Sequence, residues 1–236
     1  ALMINFSELI YTGLPYAFFL SWLGGSFLML IGLLDRPVCL ALITGFYTSD
    51  WALALSLGII LELLWLDVLE LGSVVPPFGS LSFLLLFPLA SHFGLNRPGP
   101  LLLPLILVIL AAYLGGFMER SLRIHENYLV DRVEAWCAGD CFAFTPGQAV
   151  LHVVLLRAFW QFMLYVVCYA LLFCLIAVLS ARQALPQLSV LSWPMLYGAA
   201  LMGAVLSLRT RRAYMVLACS LGALALLIWA GQKSLP

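Results

Sequence analysis

Residues 37–70 read PVCLALITGFYTSDWALALSLGIILELLWLDVLE, and the way this stretch is interrupted decides the fold. An apolar run over 37–49 is ended by Asp50, and a second over 51–61 is ended by Glu62, Asp67 and Glu70. A helix needs about 20 apolar residues to cross roughly 30 Å of hydrocarbon, so neither run spans alone. Short apolar segments cut by acids read as broken or re-entrant helices, in which the freed backbone lines a cavity instead of lipid. Helix breakers continue the theme at Gly72, Pro76, Pro77, Gly79 and Pro88, too many for one straight helix. The functional core is therefore expected between residues 32 and 82.

The rest of the chain sets the context. Of 236 residues, 64% are hydrophobic and only 9% charged, against roughly 25% charged in soluble domains. An all-α, polytopic integral membrane protein is expected, a single transmembrane domain over residues 1–236. A charge near the bilayer centre costs a few kcal/mol, so the charge-free windows 9–34, 71–96, 98–118, 158–181, 183–208 and 213–232 read as spans. With the interrupted stretch they make about seven hydrophobic segments: a broken core over about 32–96, a polar connection over about 119–147, and C-terminal spans over 149–232. The first residues lack the basic region of a signal peptide, so this segment is expected to stay in the mature protein.

Within the polar connection, Leu122, Tyr128, Leu129 and Val133 recur at helical spacings among mixed charges, as in an amphipathic interfacial helix, and Thr145-Pro146-Gly147 marks a turn. The Arg-rich connections at Arg120 to Arg132 and Arg209 to Arg212 are two spans apart and share a side, which the positive-inside rule assigns to the cytoplasm. Eleven basic and eleven acidic side chains balance to zero, leaving no electrostatic footprint for nucleic acid. The six cysteines read as packing residues; Cys137 and Cys141 have neither a second pair nor a His-x-x-x-His beside them, so no metal is expected. No Walker, Gly-x-Ser-x-Gly or His-Glu-x-x-His motif is present, and no cofactor or catalytic apparatus is expected within the chain.

Glu62 is the most informative residue. A carboxylate amid so much aliphatic surface must accept hydrogen bonds, pair with a cation or be protonated, and it serves either as an acceptor for broken-helix backbone donors or in hydroxyl recognition at a midplane site. Asp67 is five residues on, about 140° away on a continuous helix, so the two acids converge on a ligand only where the helix breaks. Trp65 between them suits either an interface anchor or the aromatic platform of a sugar site, where acids take the hydroxyl protons and the ring covers the C–H face. Asp35-Arg36-Pro37 reads as a turn with a local ion pair, Pro37 opening the next helix. Asp50 is placed to cap the run that follows it. His92 reads as a satisfied histidine, and Arg157 as a side chain snorkelling to water at the start of a span.

These residues resemble a family. Gly32-Leu33-Leu34-Asp35-Arg36-Pro37, then Gly45 and Asp50, then Gly58-x-x-x-Glu62-Leu63-Leu64-Trp65-Leu66-Asp67 and Gly72-Ser73-Val74-Val75-Pro76-Pro77 look like the N-terminal signature of the IIC membrane subunit of mannose/sorbose-type sugar phosphotransferase systems. The resemblance implies a multi-pass protein of the bacterial inner membrane that binds and translocates a hexose or related sugar. Its implied partners are a IID-type membrane subunit and cytoplasmic IIA and IIB phosphocarriers, in an oligomeric assembly. It further implies that Glu62 is the acid of the re-entrant region, Asp50 a conformational acid and Arg36 the arginine before proline. Glu62, Asp67 and Trp65 are then the expected sugar-binding residues, while Asp35, Arg36, Pro37, Asp50, Gly58, Gly72 and Pro77 hold the geometry. Two departures stand out: the family commonly has Gln near Leu33 and Asp directly after the proline that matches Pro77, where this chain has Phe78. Two other readings stay open, a IIC homologue that keeps the fold without transport, and an unrelated secondary transporter.

Overall fold

A computed structural model of the chain describes residues 6–25, 35–65, 77–138, 146–182, 185 and 191–207. All regular structure among them is helical: α1 Phe6–Gly25, α2 Pro37–Thr48, α3 Trp51–Leu64, α4 Gly79–His92, α5 Pro98–Cys137, α6 Pro146–Ala181 and α7 Trp193–Ser207. Two helices contain stretches long and apolar enough to cross a membrane, Pro98–Tyr128 in α5 and Gly147–Ala181 in α6. The charge-free window 213–232, Arg209 to Arg212, Cys141 and Leu33 lie outside the described residues.

The interrupted stretch divides at Ser49 and Asp50 into α2 and α3, of 12 and 14 residues. Pro37 stands at the first turn of α2, where its missing N–H removes no bond. Ser49 ends α2 in the left-handed region, φ 61°, its N–H bonded to the Gly45 carbonyl. Asp50 then caps α3 by accepting from the Leu53 N–H at 3.2 Å. The two helices fold back antiparallel along one seam. A Cβ built on Gly58 would fall 2.5 Å from the Ala41 Cβ and 3.1 Å from the Pro37 carbonyl oxygen, and one on Gly45 would fall 2.8 Å from the Trp51 ring. Gly58 lets the two backbones approach closely, and Gly45 makes room for the Trp51 ring.

Helix α4 is the hub, in contact with α1, α2, α3, α5 and α6. Every residue from Ser80 to Ala90 is buried, the behaviour of a helix that is apolar all round. The window 71–96 is therefore not one continuous span. Its helix begins at Gly79 and ends at His92, about 21 Å at 1.5 Å per residue, and residues 66–76 lie outside the described set. Gly94, at φ 62°, turns the chain from α4 into α5.

Helices α1 and α6 also pack antiparallel. Thr12 Oγ1 and the Tyr169 hydroxyl are hydrogen-bonded at 2.8 Å, the rings of Phe18 and Phe162 lie 5.2 Å apart, and the Ser21 hydroxyl donates to the Ala158 carbonyl at 2.9 Å. Gly13 leaves room for the Tyr169 ring, which a Cβ would meet at 2.6 Å. His92 sits against the rings of Phe93 and Phe173.

The polar connection differs from expectation. No separate interfacial helix begins at Glu119, because α5 runs unbroken for 40 residues to Cys137, about 60 Å. No Gly or Pro occurs from Glu119 to Cys137, so nothing ends the helix when the composition turns polar. Arg157 does not simply snorkel either. Its guanidinium forks onto Glu126, with Nε to Oε1 at 2.5 Å and Nη2 to Oε2 at 2.6 Å. It also reaches Glu119 at 3.4 Å, and Glu119 in turn accepts from Arg123 at 3.1 Å.

Candidate functional site

The seam of the α2–α3 hairpin brings most of the singled-out residues together. Asp50 is at its tip and Gly58 midway. At its base Arg36 Nη1 stands 3.5 Å from Glu62 Oε1, while the Val38 N–H donates to Glu62 Oε2 at 3.5 Å. Glu62 thus compensates a cation and, from the neighbouring helix, the positive N-terminal end of α2. Its side chain is 21% exposed and that of Arg36 39%, so the pair is reachable on one side. The ion pair expected within Asp35-Arg36 is replaced, for Arg36, by this partner 26 residues on.

Trp65 ends α3, its N–H shared between the Leu61 and Glu62 carbonyls. It is neither an interface anchor nor an open platform. The ring is buried at 8% exposure and meets Tyr113 of α5 edge-on at 5.6 Å, and its indole Nε1 has no hydrogen-bond partner among the described residues. Asp67, Glu70 and Gly72 lie outside the described residues, so the convergence of Asp67 with Glu62 is not part of this geometry.

The start of α4 completes the corner. A Cβ at Gly79 would lie 3.4 Å from Trp65 Cδ1 and 3.5 Å from Pro37 Cγ, so the first turns of α2 and α4 meet beside the Trp65 ring. Pro77 leads into Phe78, whose N–H donates to the Ala112 carbonyl of α5 at 3.0 Å. Phe78 also packs where α5 has Gly115, whose Cβ would stand 3.0 Å from that of Phe78. Phe78 is thus a ring wedged between α4 and α5. The Ser80 hydroxyl, fully buried in the first turn of α4, has no hydrogen-bond partner among the described residues. Sequence reasoning missed Ser80. Its only sequence signal is a hydroxyl two residues after the Pro77-Phe78 break.

No protein-family model, no curated protein and no solved structure matches the chain.

Proposed function

We propose that the chain is a multi-pass membrane subunit of the IIC type, which holds a hydroxylated solute, a hexose or related sugar, at the base of the α2–α3 hairpin. Phosphoryl chemistry is left to IIA and IIB partners and a IID-type subunit lies beside it, in a bacterial inner membrane. The observation that carries this reading is the seam itself. Arg36, Asp50, Gly58 and Glu62, which define the resemblance, are the cation at the base, the cap at the tip, the close approach and the acid at the base of one hairpin.

Two observations support the membrane part. Glu119, the first charge after the window 98–118, and Arg157, the last before the window 158–181, are ion-paired at 3.4 Å, which puts the edges of both windows at one level. The outward faces between those edges are apolar as well. Leu110, Leu114, Phe117, Phe159, Val167 and Leu171 are each more than half exposed, apolar surface that suits lipid better than water. Helix lengths then give the depth of the site. The hairpin base is level with Ala112, about 10 Å from Glu119 along α5. Asp50 at the tip lies about 18 Å from Glu62 along α3. Together the two nearly match the roughly 30 Å core, which supports reading Arg36 and Glu62 as lying within the hydrocarbon, nearer the Glu119 side. Intramembrane ion pairs of this kind mark solute pathways.

The test is sugar uptake and phosphorylation in vesicles with the IIA, IIB and IID partners, comparing wild type with Glu62→Gln. Uptake that needs phosphoenolpyruvate and falls at least tenfold in the variant is the expected result. No uptake with every partner present, or an unchanged variant, overturns it. A second reading, a subunit that keeps the fold and partner surfaces without transport, is favoured by both Glu62 oxygens being engaged and by Phe78 filling the space beside Gly115. It predicts that partners assemble on the chain while no sugar binds.

A further inference from the structure

We infer that the corner where α2 and α4 begin binds an oxyanion of the phosphate-ester class, with Trp65 and Ser80 as its side-chain donors. The inference rests on the reading of the hairpin base as a solute site and adds a second kind of ligand group to it. Two helix N-termini converge here, with Gly79 against Pro37, and each brings a partial positive charge and free N–H groups. At α2 the end is answered by Glu62, which accepts from Val38. At α4 no side chain caps the helix, and the N–H groups of Gly79, Ser80 and Leu81 find no acceptor among the described residues. Helix N-termini in this state are ready anion sites.

The side chains point the same way independently. The Cδ1 edge of the Trp65 indole, bonded to Nε1, lies against Gly79. That N–H is buried and unpartnered, as is the Ser80 hydroxyl one residue further along. Buried donors without acceptors are costly, and these two stand at the same uncapped turn. The donors exceed what a carboxylate's two oxygens employ and suit the three terminal oxygens of a phosphate monoester. Gly79 and Phe78 beside these buried donors are only partly buried, so a ligand would enter past them.

The test uses the full chain in a phosphate-free maltoside detergent with 15N-labelled tryptophan, the Trp65 indole signal being assigned by its loss in Trp65→Phe. Inorganic phosphate and glucose 6-phosphate should shift that signal saturably, while chloride at equal ionic strength should not. By calorimetry Trp65→Phe and Ser80→Ala should each weaken binding about tenfold. Shifts with both glucose 6-phosphate and inorganic phosphate support the monoester site, while a shift only with short-chain phosphatidylglycerol, a diester with two terminal oxygens, overturns it in favour of a lipid headgroup. A shift with glucose but with no phosphate compound overturns this inference and leaves the solute site standing. No shift with any of them overturns both. Phosphate binding that is equally tight in wild type and both variants removes Trp65 and Ser80 from the site.

Discussion

The Tyr165 hydroxyl donates to the Leu84 carbonyl at 3.0 Å, and Leu84 is the residue whose carbonyl Pro88 leaves without a helical donor. In an α-helix the N–H of residue 88 would bond that carbonyl, but proline has none. Both Tyr165 and Leu84 are fully buried, where an unmade hydrogen bond costs about 1–3 kcal/mol. A side chain of α6 thus completes the backbone of α4, the helix on which the others pack, and it does so 81 residues away in sequence.

Tyr165→Phe should therefore destabilise the protein by about 1–3 kcal/mol, and Pro88→Ala should remove most of that penalty by restoring the N–H of residue 88. The measurement is a double-mutant cycle on thermal unfolding in detergent. A Tyr165→Phe cost that is the same with Pro88 and with alanine at 88 rules out this account of the bond.

The hairpin seam predicts contrasting glycine substitutions. Gly58→Ala pushes a methyl to within 2.5 Å of the Ala41 Cβ, and overpacking of this kind costs about 1–3 kcal/mol. Gly203→Ala in α7 meets nothing within 4 Å among the described residues and should be neutral or stabilising by up to about 1 kcal/mol through helix propensity. Unfolding midpoints of the two variants should move in opposite directions, or the first should fall while the second stays. Equal midpoints would disprove the close approach at Gly58.

The breaks in the first half were legible because they are local. Pro37, Asp50 and the glycines act on their own backbone, and the hairpin follows from them. What joins the hairpin base was not legible. Arg36 and Glu62 meet only because α2 and α3 pack in one register, and Trp65 turns inward only because Gly79 and Tyr113 receive it. The error at Glu119 is of another kind. A hydropathy window registers the change from apolar to polar but not backbone continuity, whereas the run from Glu119 to Cys137, free of Gly and Pro and rich in helix formers, had every local reason to continue α5. Pro88 was visible as a breaker, yet nothing in the chain nominates Tyr165 as its remedy.

Charge at the hairpin base should behave as a coupled pair. Glu62→Gln leaves Arg36 without this partner, and breaking a buried pair from one side costs up to about 3–5 kcal/mol. Partial exposure of both side chains brings the expected loss nearer 1–2 kcal/mol. Arg36→Gln combined with Glu62→Gln should recover much of it, because two neutral amides can still bond each other and the Val38 N–H. If the double variant unfolds at the sum of the two single losses, the pair carries no coupling.

Finally, the proposed membrane reading takes the Glu119–Arg157 pair as the edge of the bilayer, and this can be measured without any functional assay. In a background with the six native cysteines replaced, single cysteines are introduced one at a time at Leu110 and Val167, inside the paired edge, and at His125 and Asp131, beyond it. All four positions are exposed on the protein surface, so differences in labelling report the surroundings and not burial in the fold. A membrane-impermeant maleimide should modify positions 125 and 131 at least tenfold faster than 110 and 167, because thiolates form and react in water and not in hydrocarbon. Inside-out vesicles should label 125 and 131 and intact cells should not, if the Arg-rich side is cytoplasmic. Fast labelling at 110 would move the boundary and lift Arg36 and Glu62 out of the bilayer, and with it would go the reason to read their pair as part of a solute pathway.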